Sequence, residues 1–566
     1  MLVYGDRSRQ TEVRGELESL ASLNETLALM PAGIERHAWL ADLFIRAAEL
    51  AQGIADAEFE QWGEDRLTFA QQVSMRLVRA TASSLCQSWQ NGFAAAPLNI
   101  DAQLRLLSSA EGAIHCRRQE GFAFYALYPE AYFAAARRCG LQFHSVLGIR
   151  SIGLGLAAIV AEATAARTCI SVRPIGHPFR RKLALGADFK STLGAEPVAV
   201  VDEGPGLSGS SFLAAAETLE QLGLERIHLF PSHRNPPGFA ASEATRKRWN
   251  CFAKHVEDFD ALFIESQEPR HQLADWCADV TGPALAPLED LGGGQWRRYR
   301  PGAPALPRWE RRKFLLRSTR GSFLLRFVGL GRYGSDSLRR ARQLAGAGFT
   351  PPVLGLRHGF LIEEWLDARP IETAPRSALL ARLASYLAFR ARHMPAPPAS
   401  GASLSELAAM LVHNAGEIGL APNAWKARAR ALEARVRPIE TDNKLQLWEW
   451  LHTPCGIVKA DAYDHCAGHD LVGCQDIAWD IAGAICEFDL ASLELDELLQ
   501  RLEHDGIRAD RALIDFLRPC YAAFQLGTFT LATENVTAQD DAAALSAREN
   551  YRRRLEQETR VLEPSL

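Results

Sequence analysis

The sequence predicts a multidomain chain: a helical N-terminal extension, then an α/β unit on a parallel sheet, then an α+β unit with two lobes. Three observations carry that prediction. At 566 residues the chain exceeds the ~250–300 residues at which a single core stops growing. Between residues 120 and 270, short apolar runs alternate with helical segments, the order of a parallel sheet covered by helices. Beyond residue 310, a hairpin and a further strand give way to a mostly helical stretch.

Composition excludes several classes of function. Hydrophobic residues make up 47 % and charged residues 23 %, the balance of a globular protein. Lys+Arg 63 against Asp+Glu 68 leaves −5, so no basic excess drives nucleic-acid binding. No apolar stretch reaches the ~18–20 residues of a membrane span. The first residues, Met1-Leu-Val-Tyr-Gly-Asp-Arg7, contain no apolar signal-peptide core. Eleven cysteines without a CxxC pair suggest neither a disulfide framework nor a zinc ribbon. A cytoplasmic enzyme acting on a small-molecule acceptor, with no membrane or nucleic-acid partner, is expected. A homodimer is left open.

Residues 1–115 read as the helical extension. Leu17, Leu20, Leu23 and Leu27 recur at helical spacing, and Trp39, Leu40, Leu43, Phe44 and Ala47 form a clearer stripe. Residues 116–280 form the α/β unit, with strands expected at 122–128, 145–149, 168–172, 197–201 and 226–230. Helices are expected at 154–166 and 211–222. The Gly/Pro-rich stretch 281–309 reads as a linker. In the last unit, 310–566, residues 313–317 and 323–328 read as a hairpin, 337–345 as a helix and 359–365 as a strand. Gly329-Leu-Gly-Arg-Tyr-Gly334 spells GxGxxG, but no repeated βαβ units follow it, which argues against a dinucleotide site.

The most informative stretch is Val198-Ala-Val-Val-Asp-Glu-Gly-Pro-Gly-Leu-Ser-Gly-Ser-Ser211. A buried strand ends in two acids, followed by a Gly/Ser turn and a helix start. Glycines let the backbone approach an anion, and the first N–H groups of the helix point at it. Asp202 and Glu203 would repel the phosphate itself but suit the hydroxyls of its sugar, with a divalent ion. This stretch resembles the signature loop of the type I phosphoribosyltransferases, which bind phosphoribosyl pyrophosphate (PRPP). The resemblance implies a 5′-phosphate cradle at Gly204, Gly206, Ser208, Gly209, Ser210 and Ser211, with Asp202 and Glu203 at the ribose and its Mg²⁺. The second acid is Glu where that family usually has Asp. Two further segments fall in the family's order. Arg150, Ser151, Ile152 and Gly153 match its pyrophosphate loop, and Arg180, Arg181 and Lys182 match its basic hood, the expected catalytic cations. His233 and Arg234 follow the sugar loop, where the family recognises its acceptor, although a capping or salt-bridged role also fits them.

The last unit carries five aspartates at 461, 464, 470, 476 and 480. That spacing resembles the aminoglycoside-phosphotransferase branch of the protein-kinase-like fold. The resemblance implies Asp461 toward an acceptor hydroxyl, Asp476 on a metal and Asp480 at the start of an anchoring helix. It further implies ATP as a second co-substrate, Arg326 at the nucleotide anchor and Glu363 opening the hinge 363–370. Lys459 stands where the family has His, Cys466 where it has a metal-binding Asn, and Arg326 where it has Lys. Asp464 or His465 can replace that Asn, and His465 and His469 with Asp470 can also be read as metal ligands. Together these features predict a PRPP- and Mg²⁺-dependent phosphoribosyltransferase fused to a kinase-like domain. The alternatives are a non-catalytic PRPP or nucleotide sensor, or a small-molecule kinase whose first half is a binding platform.

Overall fold

In the computed structural model, residues 8–562 are described apart from 195, 239, 399, 423, 469 and 535–537. The N-terminal region is built from the helices Val13–Leu29, Ile34–Trp62 and Phe69–Gln90. The first buries Leu17, Leu20, Leu23 and Leu27, and the second buries Leu40, Leu43, Phe44 and Ala47. Trp39 is not part of that buried stripe and remains 39 % exposed. Gly63, in the left-handed conformation, ends the second helix, and the Thr68 hydroxyl caps the third by accepting from Gln71 N. A ribbon that the sequence reading did not name, β1 (Ser8–Glu12) with β2 (Ala113–Arg117), closes this region, with Ile114 and Cys116 buried on one face.

The parallel sheet forms as its buried apolar runs require. It contains β3 (Ser145–Ile149) and β4 (Thr168–Val172). Between β4 and the next sheet strand stands a separate antiparallel ribbon, β5 (Ile175–His177) with β6 (Arg180–Lys182). Then come β7 (Val198–Val201), β8 (Ile227–Phe230) and β9 (Ala253–Lys254). The order is β4-β3-β7-β8-β9, all parallel. The chain leaves β3 toward one edge and returns at β7 toward the other, so a topological switch point lies between them. The run 122–128 is not a strand. Glu120–Ala123 is a short helix followed by a turn through Ala126 at φ 51°, and Phe122 is fully buried. A short apolar run has no periodicity to separate the two outcomes.

The second sheet is antiparallel and holds β10 (Glu289–Asp290), β11 (Lys313–Ser318), β12 (Gly321–Phe327), β13 (Val353–Arg357) and β14 (Phe360–Glu364), in the order β10-β11-β12-β14-β13. Part of the Gly/Pro-rich stretch expected as linker is therefore an edge strand, with Glu289 opposite Leu315. The helix Gly331–Gly346 covers the sheet. A Cβ on Gly334 would lie 2.2 Å from Gly329 O, and one on Gly331 2.5 Å from Asp42. The GxGxxG glycines thus serve close packing of this helix start against the N-terminal helices. Among the described residues, the rest of the chain is mostly helical around the hairpin of β15 (Trp450–Thr453) and β16 (Gly456–Lys459).

One apolar core runs from Val13 through Phe122 and Ile152 to Phe314, Phe327 and Ile362, so the first three regions share it. A second core belongs to the helical lobe and a third to the other face of the parallel sheet. No helix among the described residues is long and apolar enough to cross a membrane.

Candidate functional site

Two crevices collect the chemistry-bearing residues. The first lies at the C-terminal edge of the parallel sheet, at its switch point, where ligands of such sheets bind. A Cβ on Gly153 would sit 2.5 Å from Val201 O and 3.2 Å from Asp202 Oδ1. The loop at Ser151, Ile152 and Gly153 therefore meets the 202–211 loop backbone to backbone, which only glycine allows. The Asp202 carboxylate accepts from Glu203 N at 2.8 Å, and burial pushes its pKa well above the usual range. Glu203 accepts from Gly121 N at 3.1 Å. The loop continues through Gly204, Gly206 and Gly209, the last two at φ 58° and 69°, into the helix opened by Ser210 and Ser211.

The β5–β6 ribbon stands over this loop. Ser208 and Ser210 donate their hydroxyls to Pro178 O at its turn, at 2.9 and 2.5 Å. Arg180 and Lys182 are exposed, and Arg181 donates to Gly176 O at 3.1 Å within the ribbon. On the acceptor side, a cavity of about 230 Å³ beside Glu203 is lined by Tyr125, Tyr132, Ser232 and Arg312. Arg234 donates to Lys254 O, while a Cβ on Gly204 would lie 3.4 Å from His233 Nε2. Of the pair, His233 is the one beside the sugar loop.

Arg150 requires a correction. Its buried guanidinium pairs with Asp65 and, at 3.4 Å, with Asp56, so it is not free beneath a pyrophosphate. Burial lowers its pKa to about 9 despite Asp56. Arg173 completes the knot through Asp56, at 2.8 Å from its Nε. Both acids come from the N-terminal region, more than 80 residues earlier in the chain, and no local motif marks them.

The second crevice, about 390 Å³, lies between the antiparallel sheet and the helical lobe. Arg326 on β12 pairs with Asp461 at 2.6 Å and stands 3.9 Å from Glu363. Burial alone would raise Asp461, but Arg326 and His465 hold it well below the usual carboxylate range. His465 lies 3.4 Å from Asp461 and 3.2 Å from Asp442. Burial would lower its pKa, yet these two acids raise it to about 10. Arg311 holds Asp464 at 2.9 Å. Lys459, at the end of β16, is buried between Glu449 at 2.6 Å and Asp442 at 3.2 Å. Asp461, Asp464 and His465 converge within 4.8 Å, and so do Asp442, Glu449 and His465. His469 lies outside the described residues.

Two of the expected roles move. Asp476 is the N-cap of the helix Ile477–Glu487; its oxygens accept from Ala478 N at 3.0 Å and Arg437 N at 2.9 Å. With both oxygens bound to backbone and no place in the cleft wall, it is not a metal ligand here. Glu363 does not face the cleft from the hinge. It is buried under Arg326 and accepts from Tyr463 at 2.7 Å, and burial raises it to about 7. The following residues, Glu364 to Ala368, line the cleft instead. Asp480 keeps its anchoring role: its two oxygens accept from Asp442 N at 2.8 Å and Asn443 N at 3.0 Å. The loop it holds, with Lys444, Gln446 and Glu449, forms the cleft floor. Sequence reasoning missed this loop because Asp442-Asn-Lys444 contains no marked motif and precedes Asp461 by a whole hairpin.

No protein-family model and no curated protein matches this sequence. Solved structures do show a likeness. The choline kinase LicA from Streptococcus pneumoniae is 15 % identical, with TM-score 0.35, over 50 % of this chain and 98 % of that one. A choline/ethanolamine kinase family protein from Mesorhizobium loti is 18 % identical, with TM-score 0.30, over 49 % of this chain and 92 % of that one. A spectinomycin phosphotransferase in complex with ADP and spectinomycin is 10 % identical, with TM-score 0.33, over 50 % and 93 %. With TM-scores this low, the likenesses do not bear on which residues act.

Proposed function

We propose that this chain is a transferase with two centres: a kinase-type phosphotransfer cleft acting on a small alcohol, and a crevice that transfers phosphoribosyl groups from PRPP. The observation that carries the proposal is the pair of acid-edged loops. Asp480 holds the 442–449 loop against Asp461 in one crevice, and Gly153 seats its loop against Asp202 in the other.

In the cleft, phosphoryl transfer needs positioning and charge stabilisation more than covalent help. Arg326, Lys313 and Arg311 line it and would face the phosphates. The carboxylates of Asp461 and Asp464 are hard oxygen donors that fit Mg²⁺, and Mg²⁺ there would offset phosphate charge. A metal seated there would have to displace the His465 proton or leave that ring as a cation beside it. Asp461 is thus better placed for metal than for the acceptor hydroxyl. Glu449, whose pKa is raised by burial, is the carboxylate offered as proton acceptor.

In the crevice, Asp202 and Glu203 would hold the ribose hydroxyls and a Mg²⁺ ion that offsets phosphate charge, and Gly204 to Ser211 would cradle the 5′-phosphate. Arg180, Arg181 and Lys182 on the ribbon close over the leaving pyrophosphate, where negative charge grows. Ser151, Ile152 and Gly153 at the helix start lie beneath it. The acceptor enters from the Glu203 cavity.

One observation favours a second reading, a nucleotide sensor. The cleft carboxylates Asp461 and Asp464 are already paired, with Arg326 at 2.6 Å and Arg311 at 2.9 Å, so a metal would compete with both arginines. Two measurements separate the readings: pyrophosphate release from PRPP in a deproteinised cell extract, and ADP formation from ATP in the same extract. Release abolished by Asp202→Asn with Glu203→Gln, and ADP formation abolished by Asp461→Asn, support the transferase. Mg·ATP binding without ADP formation makes the cleft a sensor.

A further inference from the structure

The two crevices share a wall. Gly121, in the short helix Glu120–Ala123, donates its N–H to Glu203 of the first crevice at 3.1 Å. At the other end of that helix, Ala123 O accepts from Arg311 at 3.0 Å, and Arg311 in turn holds Asp464 of the second crevice at 2.9 Å. The path from Glu203 to Asp464 is three polar contacts, one helical turn and a guanidinium, so the two acids lie within roughly 20 Å. Arg311 also stacks on Phe124 at 4.9 Å, and its neighbour Arg312 stacks on Phe259 at 4.8 Å and lines the cavity beside Glu203.

The space on the cleft side reaches this wall. A cavity of about 1340 Å³ shares Arg311, Asp464, Gly468 and Leu471 with the phosphotransfer cleft and extends to Arg118 and Phe124. That volume exceeds the ~300–1,000 Å³ of most small-ligand sites. Arg118 donates to Ala467 O. The void has the room for a phosphate-bearing intermediate, with Arg118 and Arg311 as cations toward the shared wall and the acids Asp336, Glu406, Glu433 and Glu440 elsewhere in its lining.

We infer that the phosphoribosylated product of the first crevice is the alcohol substrate of the second. The inference rests on the two-centre reading. Its chemical basis is that phosphoribosyl transfer to any acceptor yields a product with two free ribose hydroxyls, whereas the acceptor itself need carry none. In the first step, the bond from the anomeric carbon to the pyrophosphate oxygen breaks and a bond to the acceptor atom forms. The acceptor loses a proton and pyrophosphate leaves. In the second step, a ribose hydroxyl loses its proton and its oxygen bonds to the γ-phosphorus of ATP, while the bond to the bridging oxygen breaks and ADP leaves.

The test uses the full chain with Mg²⁺, PRPP labelled with carbon-13 in the ribose, ATP labelled with oxygen-18 on the γ-phosphate, and a deproteinised cell extract, read by mass spectrometry. One product carrying both labels is expected. In Asp461→Asn it should fall at least about tenfold while the product with the ribosyl label alone accumulates. Two separate products, each with one label, would overturn the inference and leave the two-centre reading standing. Absence of any ribosyl label would overturn that reading, and the inference with it.

Discussion

Replacing Asp480 with alanine removes the carboxylate that holds the backbone N–H groups of both Asp442 and Asn443, at 2.8 and 3.0 Å. All three residues are buried. Each orphaned buried donor costs about 1–3 kcal/mol, so the variant should lose about 2–6 kcal/mol. For a unit of 150–250 residues that is a drop of roughly 4–24 °C in Tm. The carboxyl adds a pH signature. Burial, with Asp442 nearby, raises its pKa to about 6, so the folded state binds a proton that the unfolded state has already released. Its contribution is full below the ordinary carboxylate range and is lost as pH rises through about 6. The gap between wild type and variant should thus widen by about 1 kcal/mol from pH 8 to pH 5. Urea unfolding followed by tryptophan fluorescence at the two pH values reads both effects. A loss under 0.5 kcal/mol at pH 5, on the scale of an ordinary surface change, or a gap that narrows toward pH 5, would refute the anchoring role.

Asp476→Ala should lose about 1 kcal/mol, the value of an N-cap, and retain Mg·ATP binding by calorimetry; loss of that binding would return Asp476 to the metal. Alanine at Arg180, Arg181 and Lys182 together should lower turnover more than PRPP affinity, since charge grows on pyrophosphate only as it leaves. Equal losses would make these residues simple binders. Glu487, which accepts from Tyr521 and Tyr551 at 2.9 Å, is raised to about 7 by burial. Its stabilisation is present at low pH and lost as pH rises through about 7. Glu487→Gln should therefore flatten the fall in Tm between pH 5 and pH 8, and an unchanged slope would refute the shift.

Four of the five strands of the parallel sheet were legible because they are short, mostly apolar and separated by helices, and their loops carry Gly, Ser and acid at fixed spacing; the edge strand Ala253–Lys254 is too short to mark itself. The ribbon of Arg180 to Lys182 was legible as a basic segment between two strands. Partners remote in sequence were not. Arg150 reads as a free cation until Asp56 and Asp65 arrive from the N-terminal region, the first from a helix and the second from the connection that follows it. Asp476 and Asp480 stand one helical turn apart, and the sequence placed the first on a metal where the structure makes it the helix cap. Position alone separates them, since the first satisfies N–H groups of its own helix start and Arg437 while the second reaches the 442–443 loop. The edge strand Glu289–Asp290 hid in a Gly/Pro-rich stretch, because so short a strand is specified by its neighbour β11 and not by its own pattern.

The most direct test of the two-centre account is a calorimetric titration of the full chain with Mg·PRPP and, separately, a Mg²⁺-bound non-hydrolysable ATP analogue. It is repeated on Asp202→Asn with Glu203→Gln and on Asp461→Asn with Asp464→Asn. The account predicts one site for each ligand in the wild type, with each double variant losing its own ligand at least about tenfold, or about 1.4 kcal/mol, and keeping the other. Failure of either ligand to bind the wild type, or loss of both ligands in one correctly folded variant, would contradict it.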